Sequence, residues 1–276
     1  MKITFTKMHG LGNDFIVLDT IRQKINLAQL DIKYLSDRHT GIGFDQCLII
    51  EPSEDPAIDF LYKIYNSDGK EVGQCGNGAR CLARYVAHYQ LSQKKIITVA
   101  TKTTRMELQI NKDDTVTVDM GLPKLHPVDI PFLNDTQQKT YTVPSLNGEN
   151  FAMYLINVGN PHAVLLVPQV EEAKVQEIGS YICHHPLFPE QVNVGFMEVI
   201  NPQHVKLRVF ERGCGETMAC GSGAVAAAAL GRLYLNLDST ITVSLPGGDL
   251  QIHWESPHSP IYLTGPATFV YQGFLL

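Results

Sequence analysis

Along most of this chain apolar and polar residues alternate at the period of two that a β-strand requires, and four stretches break that rhythm with a helical period. Strands are predicted at 2–8, 14–19, 46–51 and 58–66, and again at 151–157, 162–167, 193–200 and 204–211. Amphipathic helices are predicted at 27–38 and 170–182, and a second helix in each half at 77–89 and 222–234. Three further strands end each half of the chain. Many short strands with two helices per half predict an α+β fold and not a doubly wound parallel sheet. The most apolar run, Ala224 to Leu235, is interrupted by Arg232 and is too short to span a bilayer, so it is read as a buried helix.

The pattern occurs twice. Gly12-Asn13-Asp14-Phe15-Ile16-Val17-Leu18 aligns with Gly159-Asn160-Pro161-His162-Ala163-Val164-Leu165, and Gln46 with Asn193. Lys63-Ile64-Tyr65-Asn66 lies over Arg208-Val209-Phe210-Glu211, and CGNGA at 75–79 over CGSGA at 220–224. The offset is roughly 145 residues throughout, the signature of an internal duplication. Two pseudo-symmetric lobes are therefore expected: residues 1–122 with 266–276 returning to complete the first, and 123–265 forming the second. The segment 122–150, with Pro123, Pro127, Pro131 and Pro144, is the predicted connector.

Composition narrows the function. With 276 residues, 44% hydrophobic and 18% charged, the chain can bury a large core, and its net charge of -6 offers no basic footprint for nucleic acid or anionic lipid. MKITFTKMHG at the N-terminus has the alternation of a strand and no continuous apolar core, so a cytoplasmic location is expected. In that compartment the six cysteines would remain thiols. The C-x5-C spacings of 75/81 and 214/220 fit no zinc knuckle, so no metal is expected. GLGN at 10–13 is a weak phosphate-loop signal with no dinucleotide fingerprint around it.

The chemistry concentrates at Cys75 and Cys220, each followed by Gly-x-Gly-Ala and a helical pattern. A thiol of ordinary pKa about 8.5 ionises more readily at a helix N-terminus, and glycine-flanked amides there can cradle an anion. A thiolate on one face of a carbon and a thiol on the other can remove a proton and return one from the opposite side, inverting a stereocentre. The carbanion formed next to a carboxylate needs preorganised donors, which the amides of both loops could supply. Cys47, Cys81, Cys183 and Cys214 are read as structural. His162 beside Asn160, the pair Glu211 and Arg212, and the amides Asn13, Asn66, Asn160 and Asn193 are the candidate recognition groups.

At these residues the sequence closely resembles the diaminopimelate epimerases. The resemblance runs the full length through FTKMHGLGNDF (5–15), NSDG (66–69), QCGNGARC (74–81), NVGNPHAV (157–164), ERGCGET (211–217) and ACGSG (219–223). It implies two α/β lobes of mostly antiparallel strands, each wrapped around a central helix, with the active site in the cleft between them. It implies cofactor-independent interconversion of LL- and meso-diaminopimelate, on the route to lysine and peptidoglycan precursors. Cys75 would act on the LL isomer and Cys220 on the meso isomer. The backbone at Gly76-Asn77 and Gly221-Ser222 would hold the reacting carboxylate. Asn13, Gln46, Asn66, Asn160, Asn193, Glu211 and Arg212 would bind the rest of the substrate, His162 and Glu211 would tune the thiols, and Tyr271 would lie at a homodimer contact. Cys214 departs from the family pattern, where a small residue is expected. Two alternatives stay open: a proline racemase-like enzyme sharing the two-thiol logic, and a redox switch or binding module in which Cys75 and Cys220 form a disulfide.

Overall fold

The computed structural model describes residues 2–73, 75–145, 148 and 150–275. Gln74, at the head of the first cysteine motif, and Leu146, Asn147 and Glu149 in the predicted connector lie outside the described residues. The chain divides into two compact units, Met1–Val118 with Gly265–Leu276, and Asp119–Thr264.

In the first unit the elements follow as β1 (Ile3–Gly10), β2 (Asn13–Asp19), α1 (Ile32–Ser36), β3 (Gln46–Pro52), β4 (Phe60–Asn66), β5 (Glu71–Val72), α2 (Gly76–His88), β6 (Ile96–Ala100), β7 (Arg105–Ile110) and β8 (Val116–Asp119). The second unit repeats that order as β10 (Asn150–Asn157), β11 (Pro161–Leu166), α3 (Val175–Cys183), β12 (Asn193–Asn201), β13 (His204–Glu211), β14 (Gly215–Thr217), α4 (Gly221–Tyr234), β15 (Thr240–Leu245), β16 (Gly248–His253) and β17 (Tyr262–Gly265). It is preceded by β9 (Tyr141–Pro144), and β18 (Thr268–Leu275) ends the chain.

Pairing repeats with the sequence. β1 and β2 form a hairpin, β2 runs parallel to β3, and β3 is antiparallel to β4. β10, β11, β12 and β13 do the same, and β4–β6 and β13–β15 are both parallel. Phe15 stands opposite Gln46 and Gln46 opposite Asn66, while His162 stands opposite Asn193. β18 pairs antiparallel with β1, from Ile3↔Leu275 to His9↔Thr268. In the second unit β9 takes the corresponding place beside β10.

Each unit wraps its sheet around one helix: α2 packs on β1, β2, β3 and β7, and α4 on β10, β11, β12, β13, β15 and β16. A helix enclosed in this way needs small side chains, and α4 buries Ala224, Ala226, Ala227, Ala228 and Ala229. The outer faces are covered as well. Cys47 and Ile49 pack outward with Phe5, Ile16 and Leu18, and α3 sets Val175 and Ile182 against Val194, Phe196 and Phe210. Strands covered on both faces carry continuous apolar runs, as Phe15–Leu18 and Cys47–Ile50 do.

Several predicted elements change extent. The predicted helix at 27–38 is a 3-10 turn at Leu27–Gln29 and the five-residue α1, because two competing caps divide it. Asn26 receives the amide of Ala28, and Asp31 that of Tyr34, with Leu30 extended between them. α3 begins at Val175 instead of 170: the Arg208 guanidinium donates to the carbonyls of Val170, Glu171 and Ala173, and the amides of Ala173 and Val175 make short turn bonds to the carbonyls of Val170 and Ala173. GLGN forms the β1–β2 turn, with Leu11 and Gly12 at φ 56 and 88°.

Candidate functional site

Both cysteines occupy the same structural position. Cys75 is the N-cap of α2 and its sulfur accepts from the Gly78 amide at 3.3 Å. Cys220 is the N-cap of α4 and accepts from the Gly223 amide at 3.4 Å. The sulfur thus takes the place of the usual hydroxyl or carboxylate cap and lies where the helix dipole favours a thiolate. Glycine at the third helical position is a packing necessity as well. A Cβ at Gly78 would stand 2.3 Å from the Tyr62 hydroxyl, and one at Gly223 would stand 2.9 Å from Val209 Cγ2. The sequence expectation that these glycines chiefly admit a ligand therefore gains a second cause: they let each helix end press onto β4 or β13.

Around Cys75, the Asn77 amide donates to Asn13 Oδ1 at 3.2 Å, and that oxygen lies 4.0 Å from the Cys75 sulfur. Asn13 donates to Asp45 at 2.9 Å, so its orientation is fixed from behind. Asp45 and Asp14 are bridged by Arg38, and Lys7 pairs with Asp14 at 2.6 Å. Burial opposes ionisation of Asp14, but hydrogen bonds and charge from Arg38 and Lys7 outweigh it and hold the carboxyl well below the carboxylate range. Gln46 donates to Asn66 at 2.8 Å on the neighbouring strands β3 and β4. The Tyr62 hydroxyl donates to the Cys75 carbonyl at 3.4 Å. Arg80, on α2, is 0% exposed; its Nε donates to the Pro266 carbonyl at 3.1 Å, and one terminal nitrogen is buried without a partner among the described residues.

Around Cys220 the network is tighter. Its sulfur lies 3.6 Å from the Ser222 hydroxyl, which lies 3.0 Å from His162 Nε2. The same nitrogen is 3.0 Å from Asn160 Oδ1 and 3.4 Å from Asn193 Nδ2. Asn193 Oδ1 accepts the Arg212 amide at 2.9 Å, and Thr217 donates to Glu211 at 2.6 Å. Complete burial, together with the charge of Arg212, lowers the His162 pKa to about 3, so the imidazole is neutral. Burial pushes the Cys220 thiol well above its ordinary value. The Glu211 carboxylate adds to this, first by its charge and less by accepting a hydrogen bond, while bonds from Ser222 and Gly223 oppose it. The Arg212 guanidinium donates to the Glu190 carbonyl at 3.0 Å and, among the described residues, has no carboxylate partner.

The second unit therefore brings Asn160, His162, Asn193, Glu211, Arg212, Gly221, Ser222 and Cys220 into one cluster. The first brings Asn13, Gly76, Asn77 and Cys75 together, with Gln46 and Asn66 as a bonded pair at the ends of β3 and β4. Tyr271 lies on β18, 46% exposed. All six cysteines are thiols, Cys214 exposed and Cys47 and Cys81 fully buried. Among the described residues no group of three His, Cys, Asp or Glu side chains converges as a metal centre would. Sequence reasoning passed over Arg80, Tyr62, Thr217 and the Lys7-Asp14-Arg38-Asp45 network. Arg80 and Thr217 stand inside the quoted motifs, but Arg84 shares the helix with Arg80 and the pattern does not mark which of the two is enclosed.

A family model described as diaminopimelate epimerase matches residues 5–126 and 154–270. The chain is 60% identical over 276 residues, all of both chains, to a protein from Legionella pneumophila strain Philadelphia 1 named diaminopimelate epimerase. It is 59% identical, again over the whole of both, to the protein of that name from strain Corby. Among solved structures, a Bacillus anthracis protein of the PhzF phenazine-biosynthesis family superposes with a TM-score of 0.70 at 14% identity, covering 100% and 99% of the two chains. A hydroxyproline epimerase from Agrobacterium vitis gives a TM-score of 0.70 at 13% identity, covering 99% and 92%. These two structures share the fold. No helix among the described residues is long and apolar enough to cross a membrane.

Proposed function

Because the chain belongs to the diaminopimelate epimerase family, we infer that it interconverts LL- and meso-2,6-diaminopimelate by proton transfer between two cysteines, without pyridoxal phosphate or another cofactor. The observation that carries the mechanism is the placement of Cys75 and Cys220 at equivalent helix N-caps of a duplicated chain.

In the LL direction the Cys75 thiolate takes the α-proton. The electron pair moves into the neighbouring carboxylate, and the resulting dianion is stabilised by the amides at Gly76-Asn77 and Gly221-Ser222. Cys220, protonated, returns a proton to the opposite face. The products are the meso isomer, a Cys75 thiol and a Cys220 thiolate, and the meso direction runs the same steps in reverse. The charge of Glu211, which favours protonated Cys220, supports this division of labour. Inversion requires the two sulfurs to address opposite faces of one carbon. Asn13, Gln46, Asn66, Asn160 and Asn193 orient the remainder of the substrate. Arg212, a cation without a carboxylate partner among the described residues, takes the distal carboxylate, and Glu211 is the opposite charge for an ammonium. A distal zwitterion distinguishes this substrate from a compact cyclic amino acid such as proline.

The test is incubation of reduced, pyridoxal-free protein with LL-diaminopimelate in D2O, followed by chiral analysis. Deuterium at one inverted centre is expected. Cys220→Ala and Cys75→Ala should each abolish inversion; the first should retain exchange of the LL isomer without inversion, the second exchange of the meso isomer. Near wild-type inversion by either variant would eliminate the two-base mechanism. We further propose a cytoplasmic homodimer joined through β18, where Val270, Tyr271 and Phe274 are 54, 46 and 47% exposed. Tyr271→Ala should shift sedimentation from dimer toward monomer.

A further inference from the structure

The duplication makes each half a control for the other. The sequence alignment that superposes Cys75 on Cys220 puts Asn66 on Glu211 and Arg80 on Val225. The second thiol thus has a carboxylate beside it and an apolar residue on its helix. The first has an amide in place of the carboxylate and a guanidinium on its helix.

That guanidinium is in a costly place. Arg80 is fully buried in the second turn of α2, close to the end where the helix dipole disfavours a cation. Among the described residues no carboxylate pairs with it. Nε donates to the Pro266 carbonyl and Nη1 reaches the Gly76 carbonyl only at 3.5 Å. Among the described residues Nη2 has no partner, and a Cβ at Gly10, on the strand that leads into the turn holding Asn13, would stand 3.1 Å from it. A buried ion without a counter-charge is strongly destabilising, so an anion is called for.

The charged groups nearest the first half-site are already matched, Asp14 with Lys7 and Arg38, and Asp45 with Arg38. Two ionisable groups interact with the Arg80 charge, Cys81 and Cys75, and Tyr62 interacts with the same two thiols. Cys81 is fully buried and burial drives its pKa far up, so it stays neutral. Tyr62 is fully buried and likewise raised. Burial lowers the Arg80 pKa to about 10, and the charges of Cys81 and, less, Cys75 oppose that depression; of these two thiols only Cys75 is half-buried and capped by an amide, and so open to ionisation. At that value Arg80 remains protonated at neutral pH.

We propose that Arg80 is the buried counter-charge that keeps Cys75 a thiolate in the unliganded enzyme, so that the two half-sites rest in opposite protonation states. Arg80 is a positioning residue, acting through Cys75. The inference rests on Cys75 being an acid–base group, as proposed above, and extends it to the charge state before substrate arrives. Glu211 and Arg80 are complementary in this respect: one favours the proton on Cys220, the other disfavours it on Cys75.

The test needs no substrate. Unliganded wild type, Arg80→Met and Arg80→Lys are alkylated with iodoacetamide between about pH 5 and 10, and the rate at each cysteine is read from its own peptide. In the wild type the midpoint for Cys75 should fall roughly one to three units below that for Cys220. Arg80→Met should raise the Cys75 midpoint by about one unit or more and leave Cys220 in place, and Arg80→Lys should restore it. A wild-type Cys75 titrating with or above Cys220 overturns the proposal, as does a folded Arg80→Met protein with an unchanged Cys75 midpoint. Should the Met variant not fold, Arg80→Gln replaces it, and the wild-type order of midpoints still decides. Failure of epimerisation in D2O would leave these midpoints untouched, so the two readings fail separately.

Discussion

His162 is neutral because it is buried, and that has a measurable consequence at the scale of one residue. In the unfolded chain it titrates near 6.5, while in the folded protein its pKa is lowered to about 3. Above pH 6.5 both states are neutral and the group is silent. As pH falls below 6.5 the unfolded chain takes up a proton that the folded state refuses, and stability drops by about 1.4 kcal/mol per pH unit until the folded pKa is reached. His162→Phe, which installs the residue found at Phe15 in the first unit, should remove that slope. Urea unfolding of both proteins from pH 7 to 4 checks it: a stability difference that does not change with pH would mean that His162 ionises as readily folded as unfolded. Glu211→Gln removes the charge that raises the Cys220 pKa and should lower epimerisation by about 100-fold or more, with the alkylation midpoint of Cys220 shifting down. The sequence made the cysteines, His162 and Glu211 visible because duplication and glycine spacing mark them. Arg80 was hidden because nothing in a sequence reveals that a charged residue is fully enclosed.

At the scale of the element, the two central helices are set by their first turns. Gly78→Ala would force a Cβ to within 2.3 Å of the Tyr62 hydroxyl, and Gly223→Ala to within 2.9 Å of Val209 Cγ2. Each should cost about 1–3 kcal/mol of stability, the first more than the second, measured by urea denaturation. Tyr62→Phe removes the clashing oxygen, so the double variant Gly78→Ala/Tyr62→Phe should recover part of the loss; simple additivity of the two single costs would refute the assigned contact. Long strands and both central helices were legible because each buries a definite face and so imposes a period. The two-residue β5, the three-residue β14 and the four-residue β9 are too short to show one. The helix expected at 27–38 failed for a different reason: Asn26 and Asp31 each offer a local cap that competes with the continuous helical pattern and starts its own short turn.

For the whole molecule the decisive element is the last one. β18 runs along β1 from Thr268 to Leu275, burying one edge of the first unit's sheet, and the carbonyl just before it, that of Pro266, receives Arg80 across 186 residues. Truncation after Gly265 should therefore expose β1 as an edge and lower solubility and stability together. It should also raise the alkylation midpoint of Cys75 by loosening Arg80, while leaving Cys220 near its full-length value. Equal change at both cysteines would show that the damage is general unfolding. A ribosome delivers a chain from one end, at about 5–20 residues per second. The first half leaves the tunnel carrying β1 and the Cys75 helix, yet it must wait for the whole second half before its final strand is made. The half that emerges later has all of its own strands by Gly265 and can settle first. The order of maturation is thus the reverse of the order of synthesis, and a nascent or prematurely ended chain lacks the strand that completes its first thiol site.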